Sequence, residues 1–201
     1  MKVEEIQSLL RGILIQGTIN DKNILNISID TRTMKKGDVF ICLIGKRLDG
    51  HQYIKEAIKK KASAIIVSKM VSIETEIPIL LVDNTDEALQ TLARYHKEQI
   101  EPSVIAITGS VGKTTTKELI ARFLSKKYSV LKSEGNFNNH IGVPMTMLQL
   151  KANHEILVLE MGMNHQGEIA RLSMLAHPNV AIITNIGTSH IGYLKSRKNI
   201  F

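Results

Sequence analysis

The sequence predicts an α/β protein in two parts: a small N-terminal α/β domain over residues 1–83, then a phosphate-loop (P-loop) domain over 84–201 with a mostly parallel sheet, truncated at its C-terminal side. Three observations predict it. Short β-like runs broken by one helical stretch fill the first part. Strand and helix patterns alternate regularly after Pro102. The apolar run at 104–108 leads straight into a glycine-rich turn at 109–114 and then a helix, the order in which phosphate-holding loops are built.

In the first part, residues 24–29, 39–44, 64–67 and 79–82 are apolar runs of strand length, and 53–61 carries helical spacing. A helix follows over 84–99, with Thr85 placed to cap it and Ala88, Leu89, Leu92 and Tyr95 on one face. Pro102 stops it, because proline lacks the N–H that continues a helix. Beyond lie strand 104–108 and a helix over 117–127 whose apolar face is Leu119, Ile120, Phe123 and Leu124. Then come strand 128–131, a helix around 143–150, strand 156–160, helix 168–176 and strand 180–184. Such alternation implies βαβ units with parallel pairing, and in such sheets ligands sit outside the carboxyl ends of the strands. Gly109, Glu160 and the segment 185–190 all follow strands, so three pieces of chain can converge on one crevice. The last residues follow the final strand with no closing helix, so the sheet is expected to be unfinished and the chain to be the front part of a longer protein.

With 201 residues, 43% of them hydrophobic, the chain can bury one good core or two small ones. Its single cysteine, Cys42, has no internal partner and sits among apolar neighbours, which predicts a buried thiol and a reducing, cytoplasmic setting. The first residues, MKVEEIQSLL, do not form a secretory signal, and no stretch approaches the length of a membrane span. A net charge of +7 invites a nucleic-acid reading, but the lysines are scattered over helices and there is no Trp and few Phe or Tyr for base stacking. Nucleic acid is therefore not an expected partner, whereas a substrate carrying phosphates and carboxylates suits the charge. A monomer is expected.

The turn Gly109-Ser110-Val111-Gly112-Lys113-Thr114, with Thr115 behind it, is the strongest chemical signal. Backbone N–H groups approach a phosphate chain closely only where glycine removes the Cβ, and a helix N-terminus favours the negative charge. Lys113 adds a cation, and Thr114 a hydroxyl for Mg²⁺. The longer form of this loop places a glycine at position 107, where this chain has Ile107. ATP or a close relative is the expected ligand. Glu160 ends an apolar strand and is either a holder of Mg²⁺ or a solvent-facing strand terminus. His190, just past the next strand, reads as either structural or functional. The segment 135–144, GNFNNHIGVP, packs Asn136, Asn138 and Asn139 beside two glycines and His140; it either folds by Asx turns or presents amide donors to an anion. In the first part, Thr31 and Arg32, and Asp49 and His51, follow β-like runs on loops that are either ordinary surface or binding loops.

These residues together resemble the ATP-dependent Mur ligases of peptidoglycan synthesis, over essentially the whole chain. The short loop TGSVGKTTT is similar to that family's form, which accounts for Ile107. GNFNNHIGVP, EMGMNHQGEI and TNIGTSH resemble the branch that adds D-alanyl-D-alanine, and IDTR with GDVFICLIGKRLDGH resembles its UDP-substrate-binding front domain. The resemblance implies transfer of the ATP γ-phosphoryl group to the terminal carboxylate of UDP-N-acetylmuramoyl-tripeptide, after which the amine of D-alanyl-D-alanine displaces phosphate. It further implies Lys113 on the β/γ-phosphates, Thr114 and Glu160 on one Mg²⁺ and His190 on a second metal. By the same resemblance, Asn136, Asn138 and Asn139 lie near the UDP diphosphate or the transferring group, and Thr31, Arg32, Asp49 and His51 near the uridine-sugar region. Family members continue past this point with a carbamylated lysine, which neither Lys195 nor Lys198 matches, and with further ATP-binding parts. The chain alone is accordingly expected to be inactive or nearly so. The competing expectations are a noncatalytic nucleotide-binding module, a sister ligase adding the third stem-peptide residue, and a folylpolyglutamate-synthase-like enzyme; GNFNNHIGVP argues against the last two.

Overall fold

A computed structural model describes residues 1–19, 24–187 and 196. The chain forms two compact units, Met1–Leu92 and Ala93–Phe201, and the boundary along the sequence falls inside the helix Thr85–Glu98.

The first unit opens with α1 (Val3–Leu10) and β1 (Ile13–Gln16) and continues with β2 (Ile27–Ser28) and β3 (Val39–Ile41). A 3-10 turn (Gly50–Tyr53) leads into α2 (Ile54–Lys59), then β4 (Ala64–Val67), β5 (Ile79–Leu81) and the first part of α3 (Thr85–Glu98). Its sheet runs β1-β5-β4-β3-β2, parallel except where β1 pairs antiparallel to β5. Every residue of β4 is buried, which is why it reads as an unbroken apolar run. Phe40, Ile54, Ala57, Ile65 and Ile79 form the core beneath α2. The strand expected over 39–44 stops at Ile41, because the chain doubles back: Gly45 N–H bonds to Leu48 O and Gly50 N–H to Leu43 O, both at 2.8 Å. A Cβ on Gly50 would lie 2.8 Å from the Cys42 Cα, so only glycine permits the return. The cap of α3 is Asn84 rather than Thr85: Asn84 Oδ1 accepts from the N–H groups of Asp86 (2.8 Å) and Glu87 (3.2 Å), while Thr85 is buried.

The second unit contains β6 (Ser103–Thr108), α4 (Lys113–Leu124), β7 (Val130–Lys132), α5 (Gly142–Met147), β8 (Ile156–Glu160), α6 (Glu168–Ala176) and β9 (Val180–Ile183). All its strand pairs are parallel, in the order β7-β8-β6-β9. Ala121 and Ile120 of α4 pack with Ile107 and Val158 on one face. Val143 and Met147 of α5 and Leu172 and Leu175 of α6 pack with Val104, Leu157 and Leu159 on the other. The connection after β6 runs to β7, past β8, whereas the connection after β8 runs to β9, past β6. Neighbouring strands whose exits diverge leave a crevice at their carboxyl ends, and β6 and β8 are that pair here.

Helix α4 begins four residues earlier than the sequence predicts, at Lys113. Its phase also differs: Leu119 and Phe123 are exposed, and Lys117 is buried in their place. With Ile105, Ile120, Val180 and Ile182 they line an apolar groove beside β9, which is an edge strand among the described residues.

Candidate functional site

The site is assembled at the carboxyl ends of β6 and β8. After Thr108 the backbone enters regions that side chains disfavour, φ +133° at Gly109 and +85° at Gly112, and Gly112 then starts α4 directly. Thr116 N–H bonds to Gly112 O at 2.9 Å, so Lys113, Thr114 and Thr115 form the first turn. Their N–H groups have no helical carbonyl behind them and lie where the helix dipole is positive.

Residues after β9 brace the loop from behind. Ser110 N–H donates to Asn185 O (3.1 Å), Val111 N–H to Asn185 Oδ1 (2.9 Å) and Gly187 N–H to Ser110 Oγ (2.9 Å). Thr184 Oγ1 lies 2.6 Å from Val111 O. The sequence places segment 185–190 at the same crevice as Gly109 and Glu160; the bracing by Thr184 and Asn185 depends on β9 pairing beside β6, which local patterning does not encode.

In front of the loop, Glu160 is buried, which removes the reading of it as a solvent-facing strand terminus. Its Oε2 accepts from Thr114 Oγ1 at 2.8 Å and its Oε1 from Asn138 Nδ2 at 2.9 Å. Its N–H donates to Ser133 Oγ at 3.0 Å, anchoring the strand end. Lys113 folds back so that Nζ donates to Gly109 O at 2.7 Å. Lys113, Thr114, Asn138 and Glu160, with Ser110, Val111, Gly112, Thr115, Gly135 and Asn136, line an open cleft of about 450 Å³. The structure thus brings together the loop residues, Glu160, Asn136 and Asn138. Asn139 does different work: its Oδ1 accepts from the N–H groups of Ile141 (3.0 Å) and Gly142 (2.8 Å) at the start of α5. His190 lies outside the described residues.

Thr31, Arg32, Asp49 and His51 belong to the first unit. Thr31 is buried, and its carbonyl accepts from Lys60 Nζ at 2.5 Å. The Arg32 guanidinium is exposed and paired with Asp30 at 2.6 Å. Asp49 binds Lys69 Nζ (2.8 Å) and His51 Nδ1 (2.6 Å); the Lys69 ammonium, then the His51 backbone N–H and ring, hold its carboxyl well below the usual carboxylate range. His51 Nε2 accepts from Ser68 N–H at 3.0 Å, so both ring nitrogens are engaged within the protein and the proton sits on Nδ1. Asp49 and His51 therefore support the loop's shape, and Arg32 is the member of this group that presents an exposed charge.

The cleft fits a phosphate chain and a hard cation. Gly109 faces Thr184 so closely that any Cβ would collide with it, and the first turn of α4 offers N–H groups to an anion. A hydroxyl and a carboxylate oxygen 2.8 Å apart are donors of the type that Mg²⁺ takes. Among the described residues there is no cluster of three or more His, Cys, Asp or Glu side chains, so phosphate and water oxygens would complete the shell.

The family profile described as the Mur ligase middle domain matches residues 107–201, and that described as the Mur ligase family catalytic domain matches residues 23–97. The chain belongs to the Mur ligase family. Among the relatives of this Mur ligase chain, the UDP-N-acetylmuramoyl-tripeptide--D-alanyl-D-alanine ligase of Rickettsia prowazekii is 43% identical over 96% of the chain and 42% of its own length. The enzyme of the same name from Bacillus subtilis is 43% identical over 98% of the chain and 44% of its own length. A crystal structure of MurF from Acinetobacter baumannii superposes with a TM-score of 0.93 at 39% identity, covering 99% of this chain and 44% of that one. MurF from Thermotoga maritima, solved with ADP, gives a TM-score of 0.80 at 38% identity, covering 87% and 40%. The chain thus spans less than half the length of these relatives.

Proposed function

We propose that this chain serves an ATP-dependent amide ligase that joins D-alanyl-D-alanine to UDP-N-acetylmuramoyl-tripeptide in the cytoplasm, forming the peptidoglycan precursor. Residues 1–83 are the UDP-substrate domain and 84–201 the ATP-binding part. The observation that carries the reading is Glu160, buried and held against Thr114 at the open end of α4. The names of its relatives and the ADP bound to the Thermotoga maritima protein support it.

In this ligase a carboxylate oxygen attacks the γ-phosphorus and ADP leaves; the amine nitrogen then attacks the acyl carbon and phosphate leaves. The obstacle to the first step is repulsion between a carboxylate and a triphosphate. Mg²⁺, when bound, supplies positive charge against that repulsion. The N–H groups of Lys113, Thr114 and Thr115 receive the phosphate oxygens. Lys113, now resting on Gly109 O, turns its ammonium to the β/γ-phosphates. Thr114 and Glu160 hold the cation, and Asn138 keeps the Glu160 carboxylate in line. His190 serves a second metal. Arg32 offers its exposed guanidinium to the uridine-sugar part of the UDP substrate, Thr31, Asp49 and His51 hold the loops of that region, and Asn136 and Asn139 lie with Asn138 toward the UDP diphosphate or the transferring group.

Calorimetric titration with Mg²⁺-ATP, and separately with the UDP-linked tripeptide, tests the proposal. It predicts saturable binding of both, with Lys113→Ala weakening only the nucleotide. Equal nucleotide binding by wild type and Lys113→Ala would count against it.

A further inference from the structure

Lys117 stands one helical turn beyond Lys113 on α4, and its side chain is 1% exposed. Burying an ammonium is costly unless it is paired and hydrogen-bonded, yet Nζ has no hydrogen-bond acceptor among the described residues. A Leu or Met would fill the same space on the packing face of α4, beside Ala121, at no such cost. The nearest opposite charges are Glu118 Oε1 at 3.3 Å and Glu160 Oε2 at 3.9 Å. Glu118 is in turn paired with Lys132 on β7. Charges therefore alternate from the rim of the sheet into the cleft: Lys132, Glu118, Lys117, Glu160.

The end of that series is the carboxylate assigned to the cation. Glu160 Oε1 is tied to Asn138 and Oε2 to Thr114, and Lys117 faces Oε2 from behind at a distance too long for a hydrogen bond. It attracts the carboxylate without occupying the lone pair that a cation needs. We propose that Lys117 is a positioning residue that fixes the Glu160 carboxylate for the divalent cation, an inference that rests on the phosphate-and-metal reading of this cleft. Lys117 touches neither phosphate nor metal and acts through Glu160.

The test is the enhancement of ADP affinity by Mg²⁺, measured by calorimetry with Mg²⁺ and with EDTA. Partners that orient a metal ligand affect metal affinity by about ten- to a hundredfold, so Lys117→Met should reduce the Mg²⁺ enhancement by about that factor. The affinity for ADP in EDTA should stay near wild type, and Lys117→Arg, which keeps the charge, should restore most of the enhancement. A purely structural role would weaken binding equally with and without Mg²⁺, and that result, or an enhancement unchanged in Lys117→Met, overturns the inference. A second measurement needs no neutral variant: the ¹⁵Nζ resonance of Lys117, assigned by its loss in Lys117→Arg, should shift when Mg²⁺-ADP is added to wild type and not when ADP is added in EDTA. Identical spectra under both conditions also overturn it. Glu160→Gln separates the two levels of the argument. If Glu160→Gln keeps the Mg²⁺ enhancement, or wild type shows none, the metal reading falls and this inference with it; if Glu160→Gln loses it and Lys117→Met does not, only the role of Lys117 falls.

Discussion

Gly109 and Thr184 stand so close that a Cβ on Gly109 would lie 2.2 Å from Thr184 Oγ1 and 3.0 Å from the Asn185 backbone N and O. The phosphate loop is thus moulded against the residues that follow β9, and its shape depends on a missing side chain. Gly109→Ala combines this collision with a φ of +133°, a conformation costing about 1–3 kcal/mol for residues other than glycine. The variant should unfold at lower urea and lose nucleotide binding more completely than Lys113→Ala, which leaves the loop intact. Urea titration and calorimetry on the same samples check both.

Asn138 and Asn139 are sequence neighbours with separate tasks. Asn139→Ala removes the acceptor for two N–H groups at the start of α5 and should cost about 1 kcal/mol of stability while sparing Mg²⁺-nucleotide binding. Asn138→Ala frees Glu160 Oε1 and should do the reverse, weakening Mg²⁺-dependent binding with a smaller change in urea midpoint. Exchange of these two phenotypes would refute the assignment.

Asp49 gives the first unit an acid-sensitive contact. Its folded-state pKa lies below its ordinary value of 3.8, chiefly through Lys69 and then His51. The contribution is therefore present at neutral pH and lost as pH falls below 3.8 toward the depressed folded value. Because Lys69 is half exposed, water and salt reduce its size. Asp49→Asn should be less stable than wild type near neutrality, with the gap closing in acid; denaturation curves across that range measure it. A gap that widens in acid would contradict the pairing.

Cys42 is fully buried, and burial, with a smaller effect from Asp49, pushes its thiol up to about 12. The thiol should resist alkylation at mildly alkaline pH in the folded chain and react fully in urea. Rapid labelling of native protein would show that the turn between β3 and the Gly50 return opens far more than its packing implies.

Much of the second unit is legible because β6, β8 and β9 carry apolar runs, with Pro102 and Gly109 flanking β6 and Asn179 preceding β9, and the phosphate loop announces itself by residue type. The start of α4 was harder. Thr114, Thr115 and Thr116 are β-branched and weak helix formers, and the left-handed Gly112 together with the helix built behind them overrides that preference. The phase of α4 misleads for a related reason: a hydrophobicity pattern assigns Leu119 and Phe123 inward and Lys117 outward, but the partner carboxylates of Lys117 come from Glu118 and from Glu160, distant in sequence. In the first unit α1 and β1 are not legible in the sequence, because α1 is a single short helix, and because Ile13 and Leu14 of β1 are exposed on an edge strand and do not alternate. Asn84 is the cap because Thr85 is already the first residue of α3, with its side chain buried, and Asn84 Oδ1 reaches the N–H groups of Asp86 and Glu87. The roles of Ser133, Asn138 and Thr184 rest on contacts between segments far apart in the chain, and no local pattern contains them.

The most direct test of the central claim is a crystal structure of this chain grown with Mg²⁺ and ADP. The account predicts a phosphate at hydrogen-bond distance, about 2.7–3.2 Å, from the first-turn N–H groups of Lys113, Thr114 and Thr115, with a cation held on the Thr114 and Glu160 side chains. A diphosphate bound elsewhere, with those N–H groups unliganded and Glu160 still closed onto Thr114, would contradict it.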